Sequence, residues 1–373
     1  MAGRMRVPNT LSATRLLPLV ALVALVVAAG CDKAVDLLEK TAEAPTPPTA
    51  AIPRPADPQA EAAPFPRTAS VDPRQANRGV ARDPRPAIVP RDRSKLRIGT
   101  FNIHQYGPTK AGRPEVVATI ADILTRFDVV AVQEIRSKDQ FHFRRLIEQA
   151  NRIAQQPGSN ALPGAKFEFV LGPRLGETSI KEQYAFVWDA SRVRILPNSV
   201  YTLRDDLNDF HREPLVATFE TNAPTQGGSY RPFRFTLINI HTDPDEVDYE
   251  LDRLDEALAL VQQDDPGEDD LILLGDLNAD ENHLGQLSRM RNILPLLKAQ
   301  PTNIRRTASY DNLVIHRVRT SEWTGRSGTL DFEADYGLTF DQALGVSDHL
   351  PVWADFEPFE SAGSRVDAMP TYR

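Results

Sequence analysis

The sequence predicts an α+β domain in which two β-sheets pack face to face and helices cover their outer sides. Short apolar runs of β type alternate with amphipathic helical segments between residues 95 and 358. Several of the runs are apolar throughout, which is typical of strands covered on both faces. The predicted strands are Leu96–Phe101, Val129–Gln133, Tyr184–Trp188, Phe233–Ile240, Leu271–Gly275, Leu313–His316 and Val352–Phe356.

Two helices are predicted between these strands, because apolar residues recur on one face of each segment. One helix spans Glu115–Phe127 and the other spans Glu246–Gln263. A domain of this length can bury a large core. Cys31 is the single cysteine, so no intramolecular disulfide can form. Stability must therefore come from the core and from bound ions.

Residues 1–31 have the features of a bacterial secretory signal. Basic residues precede an apolar stretch at 16–29, which is shorter than the about 20 residues that a membrane-spanning helix needs. The stretch ends in Ala28-Ala29-Gly30-Cys31, which resembles a lipoprotein cleavage site with a lipidated cysteine; ordinary signal cleavage is the alternative. We expect an exported protein, anchored to a membrane through Cys31, on the periplasmic or cell-surface side.

Composition divides the rest of the chain into three parts. Residues 32–94 hold 12 prolines and few aromatics, so we expect a disordered tether. Residues 95–358 form the folded domain, and residues 359–373 form a flexible tail. From residue 95 onward, 42 Asp and Glu stand against 30 Lys and Arg. This balance excludes nucleic-acid binding by diffuse positive charge alone, so divalent cations would have to offset repulsion of a polyanionic substrate.

Polar residues cluster where the predicted strands give way to loops, the usual location of functional sites. Amide and carboxylate oxygens beside imidazoles suit a hard metal ion and acid–base chemistry on a phosphate ester. A single buried acid is more often structural, but a repeated pattern favours a catalytic site. The clusters are Phe101–His104, Gln133–Arg136, Lys181–Tyr184, Asn239–His241, Gly275–Asp280, Tyr310–Asn312 and Ser347–Pro351.

From Arg97 to Phe356 the chain resembles the endonuclease/exonuclease/phosphatase superfamily, and within it the deoxyribonuclease I-like enzymes. The resemblance implies a four-layer α/β/β/α sandwich. It also implies endonucleolytic hydrolysis of DNA phosphodiesters with little sequence specificity, leaving 5′-phosphate ends. The superfamily motifs are Asn102, Gln133-Glu134, His241, Gly275–Asn278, Asp311 and Ser347–His349. The deoxyribonuclease I-like features are Arg136, Ser179–Tyr184, Phe210–Pro214, Asp331-Phe332 and Tyr336–Leu338.

The resemblance also implies site roles. The metal ligands would be Asn102, Glu134, Asp276 and Asp348, a set of oxygen donors that suits Mg²⁺ or Mn²⁺. A second, structural Ca²⁺ is expected near Asp205–Asp209. The two imidazoles at the scissile phosphate would be His241, paired with Glu182, and His349, paired with Asp311. Which histidine acts as base and which as acid stays open, and Asp276 is another candidate for proton transfer.

Substrate contacts are implied for three further side chains. Arg136 would enter the DNA minor groove, Arg212 would contact a phosphate, and the Asn278 amide would reach a phosphate oxygen. Ile180 stands where deoxyribonuclease I-like enzymes have a tyrosine that packs into the minor groove, which predicts a weaker grip on duplex DNA. The preference for single or double strands stays open.

Two other classes of function remain. A phospholipid phosphodiesterase of the sphingomyelinase type, or another phosphoesterase, would share the metal site, but the lipid enzyme should carry an exposed hydrophobic hairpin. Tyr201–Phe210 is acidic and Gly227–Phe233 is only mildly aromatic. A non-catalytic binding module should have lost a ligand or a histidine, and none is missing. No motif indicates a protein partner, so we expect a monomer.

Overall fold

Two β-sheets lie at the centre of the computed structural model, which describes residues 91–177, 181–224 and 230–361. The strands are β1 (Leu96–Tyr106), β2 (Val129–Ile135), β3 (Phe167–Leu171), β4 (Gln183–Asp189), β5 (Val193–Ile195), β6 (Tyr201–Thr202), β7 (Leu215–Thr221), β8 (Tyr230–Pro232), β9 (Arg234–His241), β10 (Leu271–Asp276), β11 (Ile293–Pro295), β12 (Asp311–His316), β13 (Trp323–Thr329), β14 (Val352–Phe356) and β15 (Phe359–Ser361). The helices are α1 (Pro108–Ala111), α2 (Pro114–Leu124), α3 (Phe141–Ala154), α4 (Val247–Leu251), α5 (Leu254–Asp264), α6 (Phe332–Asp335) and α7 (Phe340–Val346), with a 3₁₀ turn at Gly285–Arg289.

The two sheets have related topologies. The first has the strand order β13-β14-β1-β2-β4-β3, and the second has the order β11-β12-β10-β9-β7-β5, with β6 added to β7. In each sheet one central pair is parallel, β1 with β2 and β9 with β10. Their outer neighbours β14, β4, β12 and β7 are antiparallel to them. The parallel strands therefore end at the edge of the sheet where β14, β4 and β12 begin.

Alternating side chains of the central strands fill two different cores. On β1, Leu96 and Ile98 face the second sheet, whereas Phe101 and Ile103 pack under the helices that cover the first sheet. The second sheet does the same, with its outer face covered by α4 and α5. This two-sided burial explains why the strand sequences are apolar throughout. The layers are helices, sheet, sheet and helices, so the predicted four-layer α/β/β/α sandwich is confirmed.

All seven predicted strands are present, with small differences at their ends. The helix predicted at Glu115–Phe127 is α2, which begins at Pro114, a residue suited to the first helical position. The segment Glu246–Gln263 is not one helix but two, α4 and α5, and both Leu251 and Leu254 reach the same core. The sequence reading missed α3, whose buried face is formed by Phe143, Leu146, Ile147 and Ala150.

The fold extends slightly past both predicted boundaries of the domain. Arg91 forms an ion pair with buried Asp128 at 2.6 Å. At the other end, β15 pairs with β8, so the boundary predicted at residue 358 falls three residues short of the end of the last strand. The predicted signal and most of the tether and tail lie outside the described residues. Within the described part of the chain, no helix combines the length and apolar character needed to cross a membrane.

Candidate active site

The polar side chains predicted at strand ends meet at one edge of the sandwich. The parallel strands β1, β2, β9 and β10 run toward this edge, and the antiparallel strands β4, β12 and β14 start from it. Side chains far apart in sequence therefore lie together because of the strand directions. The edge carries Asn102, Glu134, Glu182, His241, Asp276, Asp311 and His349, all of them buried.

Irregular backbone on β1 and β2 sets the direction of the Asn102 and Glu134 side chains. The pairing register shifts between Asn102 and Tyr106 on β1 and between Val132 and Ile135 on β2. Glu134 has a left-handed backbone with φ of 60°, a conformation that non-glycine residues rarely adopt. Bulges next to active sites commonly serve to redirect a side chain. Here the bulge turns Glu134 toward Asn102, whose Nδ2 donates to its Oε1 at 3.1 Å.

A glycine permits the close approach of β9 and β10 at the same edge. Gly275 has φ of 149°, and a Cβ there would lie 1.8 Å from the carbonyl oxygen of Ile240. A larger residue would push the two strands apart. The next pair in register is Asp276 with His241, so Gly275 holds these two side chains side by side.

Two histidine–carboxylate pairs form the centre of the site, as the resemblance implied. His241 Nδ1 lies 2.7 Å from Glu182 Oε1, and His349 Nδ1 lies 2.8 Å from Asp311 Oδ2. A carboxylate on Nδ1 fixes the orientation of the ring and leaves Nε2 for chemistry. Both Nε2 atoms lie 3.5 Å from the same atom, Asp276 Oδ2. The two imidazoles therefore face one shared point.

The surrounding charges favour protonated imidazoles. Burial opposes the charge on His241, but the carboxylates of Glu182 and Asp276 outweigh it and raise the pKa of His241. Burial is likewise outweighed at His349, where Asp311 and Asp276 raise the pKa well above its usual value. Each raised pKa extends the pH range over which the ring carries a second proton.

The site also has the donors for a divalent metal ion. Asn102 Nδ2 donates to Glu134 Oε1 and, at 2.9 Å, to Asp276 Oδ2, so two buried carboxylates converge on one small group. A cation held by these two carboxylates would replace the hydrogen bonds that they accept from the Asn102 amide. Asn102 Oδ1 accepts from the backbone of His104, so the amide would have to turn to bind a metal through oxygen. Hard oxygen donors of this kind suit Mg²⁺ or Mn²⁺.

Asp348, the fourth predicted ligand, lies at the open side of the site. Its Oδ1 is 2.9 Å from His104 Nδ1 and 4.0 Å from His349 Nε2, and its side chain is 44% exposed. Burial opposes ionisation, but the hydrogen bond from His104 and the charge of His349 lower the pKa of Asp348 to about 2. An ionised carboxylate is therefore available beside His349. A cation would compete with His104 for it.

The three side chains predicted to bind substrate differ in accessibility. Arg136 is partly exposed, and its Nη2 lies 3.2 Å from Glu134 Oε2. Arg212 is buried, and its Nε donates to the His241 carbonyl and lies 3.2 Å from Glu182 Oε1. Through these two contacts Arg212 holds the His241–Glu182 pair in place. A contact between Arg212 and phosphate stays a prediction. Asn278 Nδ2 donates to the Thr242 carbonyl at 2.9 Å. Ile180 lies outside the described residues.

Four residues that hold the catalytic side chains were not singled out from sequence. Tyr184 Oη accepts from the His241 amide, Thr302 Oγ1 donates to Asp311 Oδ2 at 2.7 Å, and Ser347 Oγ accepts from the His349 amide. Lys110 Nζ donates to three backbone carbonyls, including that of Ile103 beside Asn102. Tyr184 and Ser347 belong to motifs already noted, whereas nothing in the sequence around Thr302 or Lys110 marks them.

The segment expected to hold a structural Ca²⁺ is internally bonded. Both carboxylate oxygens of Asp205 accept backbone amides, from Asp209 and Phe210. Asp209 Oδ1 accepts from Tyr249 Oη at 2.7 Å. A Ca²⁺ at this segment stays a prediction.

Comparison with known proteins agrees with this geometry. Residues 99–349 match the sequence profile of the Endonuclease/Exonuclease/phosphatase family. The chain is 31% identical to human Deoxyribonuclease-1-like 2 over 286 residues, covering 69% of this chain and 90% of that protein. It is 31% identical to Sus scrofa Deoxyribonuclease-1-like 1, covering 69% and 79%, and 29% identical to Bos taurus Deoxyribonuclease-1, covering 69% and 90%. The chain therefore belongs to the Endonuclease/Exonuclease/phosphatase family, as a deoxyribonuclease I-like member that hydrolyses phosphodiester bonds.

Proposed function

We propose that this protein is an exported, divalent-metal-dependent endonuclease that hydrolyses DNA phosphodiesters with little sequence specificity and leaves 5′-phosphate ends. The observation that carries the proposal is the pair of imidazoles, His241 and His349, whose Nε2 atoms face one oxygen of Asp276. The names of the curated relatives, all deoxyribonucleases at about 30% identity, support DNA as the substrate.

Hydrolysis adds water across the bond between phosphorus and the 3′ oxygen. One group must take a proton from the water, and a second must supply a proton to the oxygen that leaves. His241 and His349 lie on either side of Asp276 and can divide these tasks. Each imidazolium is stabilised by its own buried carboxylate, Glu182 or Asp311, so a protonated ring can also offset negative charge on the phosphate.

Glu134, Asp276, Asp348 and the Asn102 oxygen would hold Mg²⁺ or Mn²⁺, which when bound supplies positive charge to the non-bridging phosphate oxygens. The chain's own cations at the site are few. Arg136 lies against Glu134, and Arg212 is buried behind His241. The acidic domain thus depends on an added cation to accept a polyanion.

The test is nicking of supercoiled plasmid by the full chain with Mg²⁺ or Mn²⁺ and with EDTA. We expect metal-dependent nicking, and products that ligate directly because they carry 5′-phosphates. His349→Ala should reduce the rate by about 10²- to 10⁴-fold, the range typical of a lost acid or base. His283→Ala is the matched control, because that imidazole is 75% exposed and contacts Asp280 outside the site.

Two results would contradict the proposal. Nicking that persists in EDTA would remove the metal requirement, and near-normal nicking by His349→Ala would remove the role of the imidazole. If the folded, metal-loaded chain leaves plasmid intact but releases phosphocholine from sphingomyelin vesicles, the phospholipid phosphodiesterase replaces the nuclease.

We also propose that Cys31 is lipidated and anchors the exported protein to a membrane. The sequence around Cys31 is the support, and residue 31 lies outside the described part of the chain. In a bacterial host the full chain should fractionate with membranes, and Cys31→Ser should release it to the soluble fraction. Equal membrane association of the two chains would contradict lipidation.

A further inference from the structure

A second group of carboxylates lies at the opposite end of the sandwich from the active site. Glu268, Asp269 and Asp270 immediately precede β10, Glu322 immediately precedes β13, and Glu360 lies on β15. All five are buried, with exposed fractions between 1% and 7%. Asp270 and Asp276 stand at the two ends of β10, roughly 20 Å apart at about 3.3 Å for each residue of a strand. This distal acidic cluster is therefore separate from the catalytic edge.

Three carboxylates of the cluster are close enough to share one ion. Oxygen atoms of Glu268, Asp269 and Asp270 lie within 4.8 Å of one another. The charges of Glu322 and Glu360 also act on Asp270, and together with burial they raise the pKa of Asp270 to about 10. Burying like charges at this spacing is unfavourable, so without a cation Asp270 retains its proton, and a bound cation would take the place of that proton.

Two of the acids have an oxygen that no described residue satisfies. Asp270 Oδ1 and Glu322 Oε2 are buried and accept no hydrogen bond from the described part of the chain. Asp270 is 3% exposed and Glu322 is 5% exposed, so water does not readily replace the missing donor. Native proteins seldom leave such atoms unpaired. These two oxygens point to a missing positive partner.

The arginines near the cluster contact its margin. Arg234 Nε lies 3.0 Å from Glu268 Oε2, and Arg231 Nη2 lies 3.1 Å from Glu360 Oε2. Neither Asp270 nor Glu322 takes part in an ion pair with another described residue. These two arginines thus contact Glu360 and Glu268, and among the described residues no cation pairs with Asp270 or Glu322.

We propose that the distal acidic cluster binds a Ca²⁺ ion, with Asp270 and Glu322 among its ligands. Ca²⁺ accepts six to eight oxygen ligands in flexible geometry, including bidentate carboxylates. Mg²⁺ retains several waters and demands octahedral geometry, which suits a cluster of buried carboxylates less well. The ion would join the start of β10, the start of β13 and β15, and would therefore act as a structural clamp. This site does not depend on the proposed nuclease activity.

The experiment compares two full-length chains that both carry Glu134→Gln, which weakens ion binding at the catalytic edge. The second chain also carries Asp270→Asn and Glu322→Gln, which keep the shape of both side chains and remove their charge. Thermal unfolding is measured in EGTA and in millimolar Ca²⁺. We expect Ca²⁺ to raise the Tm of the first chain by at least about 4 °C, as for saturation of a site that exists only in the folded state. The second chain should gain several degrees less, and any response that remains belongs to the Asp205–Asp209 segment, where a structural Ca²⁺ is predicted.

The EGTA measurement separates lost binding from misfolding. Removing like charges should leave the Tm of the second chain equal to or above that of the first. A Tm that is several degrees lower would show that the acids are satisfied without an ion, which would overturn the proposal. An equal response of both chains to Ca²⁺, no response of the first chain, or a larger response to Mg²⁺ than to Ca²⁺ would also overturn it.

Terbium luminescence gives a second readout that does not depend on stability. Tb³⁺ replaces Ca²⁺ at oxygen sites and is sensitised by a nearby indole, and Trp323 directly follows Glu322. In the Glu134→Gln chain we expect sensitised emission that excess Ca²⁺ abolishes and that Trp323→Phe strongly reduces. Emission of equal intensity from the chain that also carries Asp270→Asn and Glu322→Gln would place the ion elsewhere.

Discussion

The two ends of β10 carry the same residue type in opposite surroundings. Asp276 and Asp270 are both almost fully buried, with exposed fractions of 1% and 3%. Asp276 Oδ2 accepts from the Asn102 amide and faces the imidazoles of His241 and His349. Asp270 instead faces other carboxylates. Burial is nearly equal at the two sites, so the difference lies in the partners: imidazoles and an amide surround Asp276, and carboxylates surround Asp270.

The largest expected effect is at the catalytic end. Asp276→Asn removes the charge shared by both histidines and should lower the rate of plasmid nicking by about 10²- to 10⁴-fold. Asp280→Asn is the matched control, because that residue lies four positions later and contacts His283 rather than the catalytic histidines. Its rate should stay within about twofold of wild type. Equal losses in both variants would show that the loop, and not the shared carboxylate, controls the rate.

The next-largest expected effect concerns the hydrogen bonds that hold Asp311 in place. Thr302 Oγ1 donates to Asp311 and accepts from the amides of Tyr310 and Asp311. Thr302→Val keeps the shape but leaves these buried groups unpaired, which should lower the free energy of unfolding by about 1–3 kcal/mol. Thr307→Val, on the exposed side of the same loop, should change it by less than about 0.5 kcal/mol. Urea titrations measure both, and equal changes would contradict the role of Thr302.

Sequence reading could single out the side chains of the candidate site because each lies in a short motif at the end of an apolar strand. The pairing of His241 with Glu182 and of His349 with Asp311 was implied by family resemblance, and the structure shows both pairs. The hydrogen bonds that hold these side chains in place could not be predicted from sequence motifs. Thr302 lies in a loop without a motif, and its contact with Asp311 exists only because the antiparallel start of β12 brings them together.

The distal acidic cluster could be predicted from the sequence even less well than the contacts of Thr302. Glu268–Asp270 form an acidic run that resembles many exposed runs in the sequence. Glu322 and Glu360 join them only through pairing of β13 with β14 and of β15 with β8. Arg212 illustrates the reverse case: its motif implied a contact with phosphate, but the fold buries its guanidinium against Glu182. Sequence motifs identify residues whose side chains could take part in catalysis or binding. The packing of the strands decides which partners those side chains contact.

The energetic coupling between two substitutions should be larger when both lie at the distal acidic cluster than when they lie at opposite ends of the sandwich. In millimolar Ca²⁺, Asp270→Asn and Glu322→Gln each remove the stabilisation by the same ion, so the double variant should lose less stability than the sum of the two single losses, by about 0.5–3 kcal/mol. Asp270→Asn and Thr302→Val lie at opposite ends and should add within about 0.5 kcal/mol. Unfolding free energies of the singles and doubles measure both cycles. Additivity of Asp270 with Glu322 would mean that the two acids do not share a site.

The smallest effect concerns a third kind of buried carboxylate, satisfied by backbone amides. Glu250 accepts from the amides of His211 and Asp243, yet burial outweighs these bonds and raises the pKa of Glu250. The folded state therefore holds the proton more tightly than the unfolded state. The resulting stabilisation is complete below the unfolded pKa of 4.5 and is lost as pH rises through the folded pKa.

Glu250→Gln removes this titration, so wild type should lose stability relative to the variant between pH 4.5 and 7, by at most about 1.4 kcal/mol for each pH unit. Glu256→Gln, with a side chain that is 61% exposed, should show no such trend. Urea unfolding across this pH range measures the difference. A gap that stays constant with pH would mean that the two amides hold Glu250 ionised throughout. Backbone amides would then serve a buried carboxylate as well as the imidazoles do at Asp276, and a cation would be only one of several ways to satisfy the acids at the distal end.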